Sequence, residues 1–267
     1  MGVIIRQSLK GTFVNYVGVL LGIFVQFYIV AKYLDPEVIG LSKVVYEVAF
    51  LLSTLALMGS GSVGMRFFPY FKDKASGNNG FLFYYLLFPV VGLSLMSLLY
   101  LSLRVPIESY FGEKSPLFNE HFYYVLPMMV VLTFWVWFEN YANINMRIAL
   151  PKAVREVGMR LMMLGIYLSY GFGLIDVTGL IVGFIICYGL CMITSGVYSL
   201  HVGDSKLRHD WKFITPELKS KVLKYTGFLM LAGISGNLIQ QMDIYMLSGV
   251  KGLYSAGIYT IVVYMAE

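Results

Sequence analysis

Apolar stretches long enough to cross a bilayer recur along the whole chain, and no other feature limits its fold so strongly. Lipid offers no partner to an open backbone, so a segment crossing about 30 Å of hydrocarbon does so as a helix of about 20 residues. Such stretches cover residues 11–31, 38–65, 81–103, 122–148, 158–175, 177–200 and 222–250, and an eighth starts near 255. The pattern predicts an all-α integral membrane protein, a polytopic helix bundle. Residues 1–203 are expected to form a first six-helix bundle, 204–221 a cytoplasmic linker, and 222–267 the start of a second bundle.

Composition agrees. Only 13% of the 267 residues are charged and 58% are hydrophobic, against about 25% charged in a soluble domain. That excludes a cytosolic enzyme. The 19 Phe, 21 Tyr and 3 Trp likewise exclude a disordered chain, which could not leave so much apolar area in water. The net charge of +5 marks loops on one side of a membrane here and calls for no nucleic-acid partner. Counted on alternate sides of the spans, fifteen of the twenty Lys and Arg fall with the N-terminus and five opposite. The N-terminus is therefore expected on the cytoplasmic side. The first ten residues are too polar for a cleavable signal peptide. The loops are too short for a folded catalytic domain outside the membrane, and a non-enzyme is expected. Cys187 and Cys191 stand four apart inside an apolar run and read as small buried hydrophobes. With His121, His201 and His209 at span ends or in a polar loop, no metal site or cofactor is implied.

Two segments resemble each other at an offset of 217 residues. The match pairs Gly40 with Gly257, Gln26 with Asp243 and Tyr28 with Tyr245, each copy continuing through a loop into another apolar helix. Weak as it is, this repeat suggests a duplicated bundle. Together with a sequence that stops inside an apolar helix, it gives the expectation of a fragment of a protein with twelve or more spans.

Polar side chains within the spans are the candidates for function, because an ionisable group at the bilayer centre costs about 2.5 to 3.5 kcal/mol on insertion scales and turns toward a cavity or a partner. Lys43 and Glu47 stand four apart on span two and read as an ion pair or as a substrate and proton site. Glu139, Asn140, Asn143 and Asn145 make one half of span four polar. Asn237, Gln240, Gln241 and Asp243 do the same in span seven. Asn15, Gln26 and Arg66 complete the set. The substrate pathway is thus expected at Asn15, Gln26, Lys43, Arg66, Glu139, Asn143 and Gln240, with ion or proton coupling at Glu47 and Asp243. Gly18 and Gly22, like Gly179 and Gly183, have the spacing of close helix packing.

The stretches AKYLDPEVIGLSKVV (31–45), MGSGSVGMRFFPYFKD (58–73), YANINMRIALPKAVREVG (141–158) and DIYMLSGVKGLYSAGIYTI (243–261) resemble polysaccharide and O-antigen flippases. These are the Wzx-like members of the multidrug/oligosaccharidyl-lipid/polysaccharide exporter superfamily. The resemblance implies two six-helix bundles around a cavity, alternating access, and a bacterial inner membrane. The implied substrate is an undecaprenyl-diphosphate-linked oligosaccharide; the implied partners are membrane lipid and the glycan polymerase machinery. The absence of GxxxxGK[ST] argues against direct ATP hydrolysis. A cation-coupled multidrug exporter of the same superfamily, or a membrane-embedded polysaccharide polymerase or ligase, are the alternatives. Measuring the mass of the native gene product tests the fragment reading: a product ending at Glu267 would defeat it.

Overall fold

A computed structural model describes the backbone of residues 3–73, 76–203, 207 and 213–266, and the side chains of these except 3–11, 113, 231–241, 265 and 266. Among them the chain is helical throughout, with no strand. The helices are α1 (Val3–Phe24), α2 (Ala31–Tyr33), α3 (Pro36–Ala56), α4 (Ser60–Phe71), α5 (Phe81–Ser102), α6 (Arg104–Phe111), α7 (Pro116–Glu120), α8 (Val125–Ile144), α9 (Ala149–Ala153), α10 (Met159–Gly171), α11 (Val177–Val202), α12 (Pro216–Lys251) and α13 (Leu253–Ala266). A π-helical turn, Val25–Val30, joins α1 to α2, and another, Val154–Gly158, joins α9 to α10.

Local chemistry sets the starts. Pro36, Pro116 and Pro216 open α3, α7 and α12, where the missing N–H costs nothing and the fixed φ suits the first turn. The Asp176 carboxylate accepts from the Gly179 N–H at 2.7 Å to cap α11, and Thr215 caps α12 through the Leu218 N–H at 3.2 Å. Between α3 and α4 the helix breaks, because Met58 and Gly59 take positive φ values of 50° and 69°. Span two is therefore two half-helices at an angle.

Five helical segments among the described residues are long and apolar enough to cross a membrane: Thr12–Tyr33, Pro36–Phe71, Asn78–Ser102, Phe122–Ile144 and Val177–Val202. The protein is a polytopic membrane helix bundle. The expected fifth span, 158–175, is helical as well, but α10 is only 13 residues long, and the helical turns that precede it, α9 and the second π turn, carry Lys152, Arg155 and Glu156.

Contacts between loops give the bundle two ends. At the near end, where α1 begins, the Phe71 and Phe213 rings meet at 5.0 Å. At the far end the Tyr33 and Phe172 rings meet at 6.0 Å, and His121 Nε2 bonds the Thr178 hydroxyl at 3.2 Å. An aromatic core of Tyr85, Trp137 and Tyr141 fills the near half, the Trp137 indole donating to the Tyr85 carbonyl at 3.1 Å.

Helix α3 is the hub. It packs against α5, α8, α12 and α13, while α8 packs against α11, α11 against α10, and the α9–α10 segment against α1. The α3–α13 contact is the closest. A Cβ on Gly40 would strike the Leu253 carbonyl, and a Cβ on Gly257 would strike the Pro36 carbonyl. Pro36 and Leu253 are the first residues of their helices, so the helix starts and the crossing glycines share the 217-residue offset of the sequence repeat. The reciprocity makes this a parallel, two-fold-like crossing.

Replacing Gly40 or Gly257 by Leu drives a side chain into backbone that has no room to yield. Overpacking costs about 3 kcal/mol or more at such a site, and the expected outcome is loss of monodisperse protein in detergent gel filtration, with Ala less damaging than Leu.

Candidate functional site

Helices packed around α3 border a half-open cavity of about 580 Å³. Six segments line it. The π turn after α1 gives Val25, Gln26 and Val30; α3 gives Ser42, Lys43 and Tyr46; α8 gives Trp135 and Glu139; the second π turn and α10 give Arg155, Glu156 and Arg160; α11 gives Phe184 and Tyr188; α13 gives Thr260 and Tyr264. Both described π turns thus border the cavity. A π turn widens the helix by one residue and turns side chains that an α-helix would aim elsewhere, and such turns recur at functional sites.

Charge enters the cavity wall at two levels. Lys43 lies seven residues into α3, about 10 Å from its far end at 1.5 Å per residue. Its ammonium stands 2.6 Å from the Glu47 carboxylate, and Glu47 is 1% exposed. The nearer level is a chain of ion pairs. Arg155 bridges Glu139 at 3.1 Å and Glu156 at 3.3 Å, and Arg160 reaches Glu156 at 3.2 Å. Three bases and three acids therefore balance. In low dielectric each lone charge would carry a large desolvation cost, which pairing offsets.

The glycine pair of α1 explains how the nearer level fits. A Cβ on Gly18 would lie 2.8 Å from the Glu156 carbonyl, and one on Gly22 would lie 2.7 Å from Arg160 Nη1. The Gly18-x-x-x-Gly22 notch receives the Glu156–Arg160 turn, as its spacing suggests.

Polar capacity remains after the pairing. Arg160 Nη1, Glu139 Oε1 and Trp135 Nε1 are buried and make no hydrogen bond among the described residues. Two are donors and one is an acceptor. Beside them Tyr188 stacks on Tyr46, with centroids 5.5 Å apart, and lies 5.4 Å from the Trp135 ring. These three atoms lie beneath the cavity surface, Arg160 Nη1 against the Gly22 notch of α1, and the aromatic rings and ion pairs form the wall.

Of the residues singled out in the sequence, Gln26, Lys43 and Glu139 share this cavity, with Glu47 paired behind Lys43. The others lie elsewhere. Asn15 and Asn143 are exposed on the bundle surface. The Arg66 guanidinium sits over the Tyr225 ring at 4.3 Å, clamping α4 to α12. Asp243 accepts from the Tyr259 hydroxyl at 2.7 Å, on an exposed face of α12. The side chain of Gln240 lies outside the described residues. Asn140 lines a smaller cavity of about 230 Å³ at the α3–α4 break, with Ser60 and Thr54.

Arg155, Glu156 and Arg160 belong by hydropathy to a charged loop on the positive side, and the structure turns them into the cavity. Glu156 and Arg160 have the same i, i+4 spacing as Lys43 and Glu47, a signal that the start assigned to span five concealed. Cys187 and Cys191 are buried, with the Cys191 thiol against the Met159 sulfur at 3.7 Å. The chain matches no family model, no curated protein and no solved structure.

Glu47→Ala leaves the Lys43 ammonium without its partner. Breaking a fully buried pair costs about 3 to 5 kcal/mol, and Lys43, one-third exposed, brings this down to about 2 kcal/mol after solvent screening. The double change Lys43→Met with Glu47→Leu is expected to recover most of that loss. Thermal unfolding in detergent, read as a double-mutant cycle, checks the coupling.

Proposed function

We propose that this protein is a flippase for an undecaprenyl-diphosphate-linked oligosaccharide, turning the headgroup across a bacterial inner membrane by alternating access. The observation that carries the reading is a mostly apolar cavity, bordered by helices long enough to span a bilayer, with ion-paired Lys43, Glu139, Arg155, Glu156 and Arg160 in its wall. A headgroup of several sugars cannot cross hydrocarbon unaided. A protein that moves it must replace water around its hydroxyls while the prenyl chain stays in lipid.

The groups behind the wall suit that task. Sugar hydroxyls both donate and accept, and the donors Arg160 Nη1 and Trp135 Nε1 and the acceptor Glu139 Oε1, buried beneath the wall here, would have to be uncovered in the transport cycle to meet them. The faces of Tyr46 and Tyr188 suit the apolar side of a pyranose. Charge balance within the wall departs from the partly cationic groove expected for a diphosphate, and puts the burden of recognition on hydrogen bonding. The sequence resemblance and the fifteen-to-five distribution of basic residues support the same reading, with the near end cytoplasmic and the far end outside.

A cation-coupled exporter of the same superfamily is the second reading. It is favoured by Glu139, a cavity-lining carboxylate whose Oε1 is buried and makes no hydrogen bond among the described residues. The two differ in what builds up when the protein is missing.

Deleting the full gene is expected to accumulate lipid-linked repeat units on the cytoplasmic face, detected by radiolabelled lipid extraction. Glu139→Ala combined with Trp135→Phe should restore surface glycan at least tenfold less well than the intact gene at equal protein level. Normal surface glycan in the deletion strain, with raised sensitivity to cationic drugs, would support the exporter instead.

A further inference from the structure

Cys187 and Cys191 take no part in the pairing around the cavity. They stand one turn apart on α11 and are 4% and 1% exposed, and the i, i+4 spacing puts their Cβ atoms about 5 to 6 Å apart on one helix face. Both are free thiols. Helix α10 packs against α11, and its first residue is Met159. The Cys191 thiol donates to the Met159 thioether across 3.7 Å, from one helix to the other. All three residues belong to one buried core cluster. Met159 also borders the cavity, as does Met163 one turn further along α10.

Two properties of this cluster point to a soft metal ion. The first is separation. With metal–sulfur bonds of about 2.3 Å, two sulfurs 3.7 Å apart subtend about 107° at a shared ion. That angle leaves room for a third donor, and Cys187 stands one turn away to supply it. The second property is ligand type. Every donor here is sulfur, and thiolate and thioether ligands favour Cu(I), whereas carboxylate and carbonyl oxygens suit magnesium, calcium and manganese. Among the described residues no group of three or more His, Cys, Asp or Glu could hold a metal ion, which leaves zinc short of its usual four ligands. The sequence alone shows two cysteines and no partner; Met159 joins them only through the packing of α10 on α11.

We propose that Cys187, Cys191 and Met159 form a binding site for a soft monovalent cation, Cu(I) or its analogue Ag(I), reached from the cavity by way of Met159. The cation takes the place of the Cys191 thiol proton, which leaves to solvent. No oxidation state changes and the net charge of the site stays zero, so burial adds no uncompensated charge. Met159 ligates through its uncharged thioether, and Cys187 completes a three-sulfur set. The site stands apart from the transport reading, since it uses the cavity only as a path.

The purified full chain in detergent, titrated anaerobically with Cu(I) against the chromophoric chelator bicinchoninate, tests the site. One Cu(I) per chain is expected to be withdrawn from the chelator, with a near-ultraviolet thiolate-to-copper band and X-ray absorption from sulfur neighbours at about 2.3 Å. Cys191→Ser is expected to weaken retention at least a hundredfold and Met159→Leu at least tenfold, each factor of ten being about 1.4 kcal/mol. The chain has 15 methionines, so Met242→Leu, at an exposed position on α12, serves as the control and is expected to stay within twofold of the parent. Monodispersity in gel filtration accompanies each variant. Retention within twofold of the parent in folded Cys191→Ser overturns the site. So does a parent spectrum of nitrogen or oxygen neighbours, which decides the matter even where a variant fails to fold. Neither result touches the flippase reading, which fails only in the lipid accumulation measurement.

Discussion

The close parallel crossing of α3 and α13 is the contact on which the cavity depends. At Gly40 and Gly257 each helix backbone lies where a side chain of the other would be. Such an approach is open only to glycine, and it maximises dispersion contact between backbones where lipid supplies no hydrophobic drive for helix association. Three residues beyond each glycine along the chain come Lys43 and Thr260, and seven beyond come Glu47 and Tyr264. The crossing therefore sets how far apart the two walls stand. The Thr260 hydroxyl is satisfied by the Ala256 carbonyl at 2.8 Å, so α13 offers its wall without leaving a polar group open.

Ion pairing is the second constraint. Six ionisable groups stand in or just behind the wall of one cavity, and every charge has a counter-charge within 3.3 Å. The Arg155 guanidinium serves two carboxylates at once, Glu139 through Nη1 and Glu156 through Nε, in the fixed geometry of its planar fork. Arg160 Nη1, Trp135 Nε1 and Glu139 Oε1 stay without a hydrogen bond among the described residues, buried beside the Tyr46 and Tyr188 rings.

Much of the architecture was legible in the sequence, for a physical reason: the bilayer leaves the backbone no choice but helix, so length and hydropathy place the spans. Span five is where that reading slipped. Its hydropathy window opens at Gly158, and the charged turn before it looked like loop. Only packing against the α1 glycine notch shows that Arg155, Glu156 and Arg160 face inward. The break at Met58 and Gly59 and the two π turns were likewise hidden, since hydropathy reports apolar area along the chain and not backbone dihedrals. In span two the i, i+4 spacing identified the Lys43–Glu47 pair, because one helix face suffices to bring those residues together.

The sequence by itself determined that this is a membrane helix bundle and where five of its spans run, and it paired Gly40 with Gly257 at one offset. Those properties follow from periodicity and transfer free energy, which act along the chain. Tertiary structure decided which polar residues meet. It joined Gln26, Lys43 and Glu139 in one cavity and left Asn15, Asn143, Arg66 and Asp243 outside it. Hydropathy does not encode how each helix is rotated about its own axis; contacts between helices fix that rotation, and with it the site.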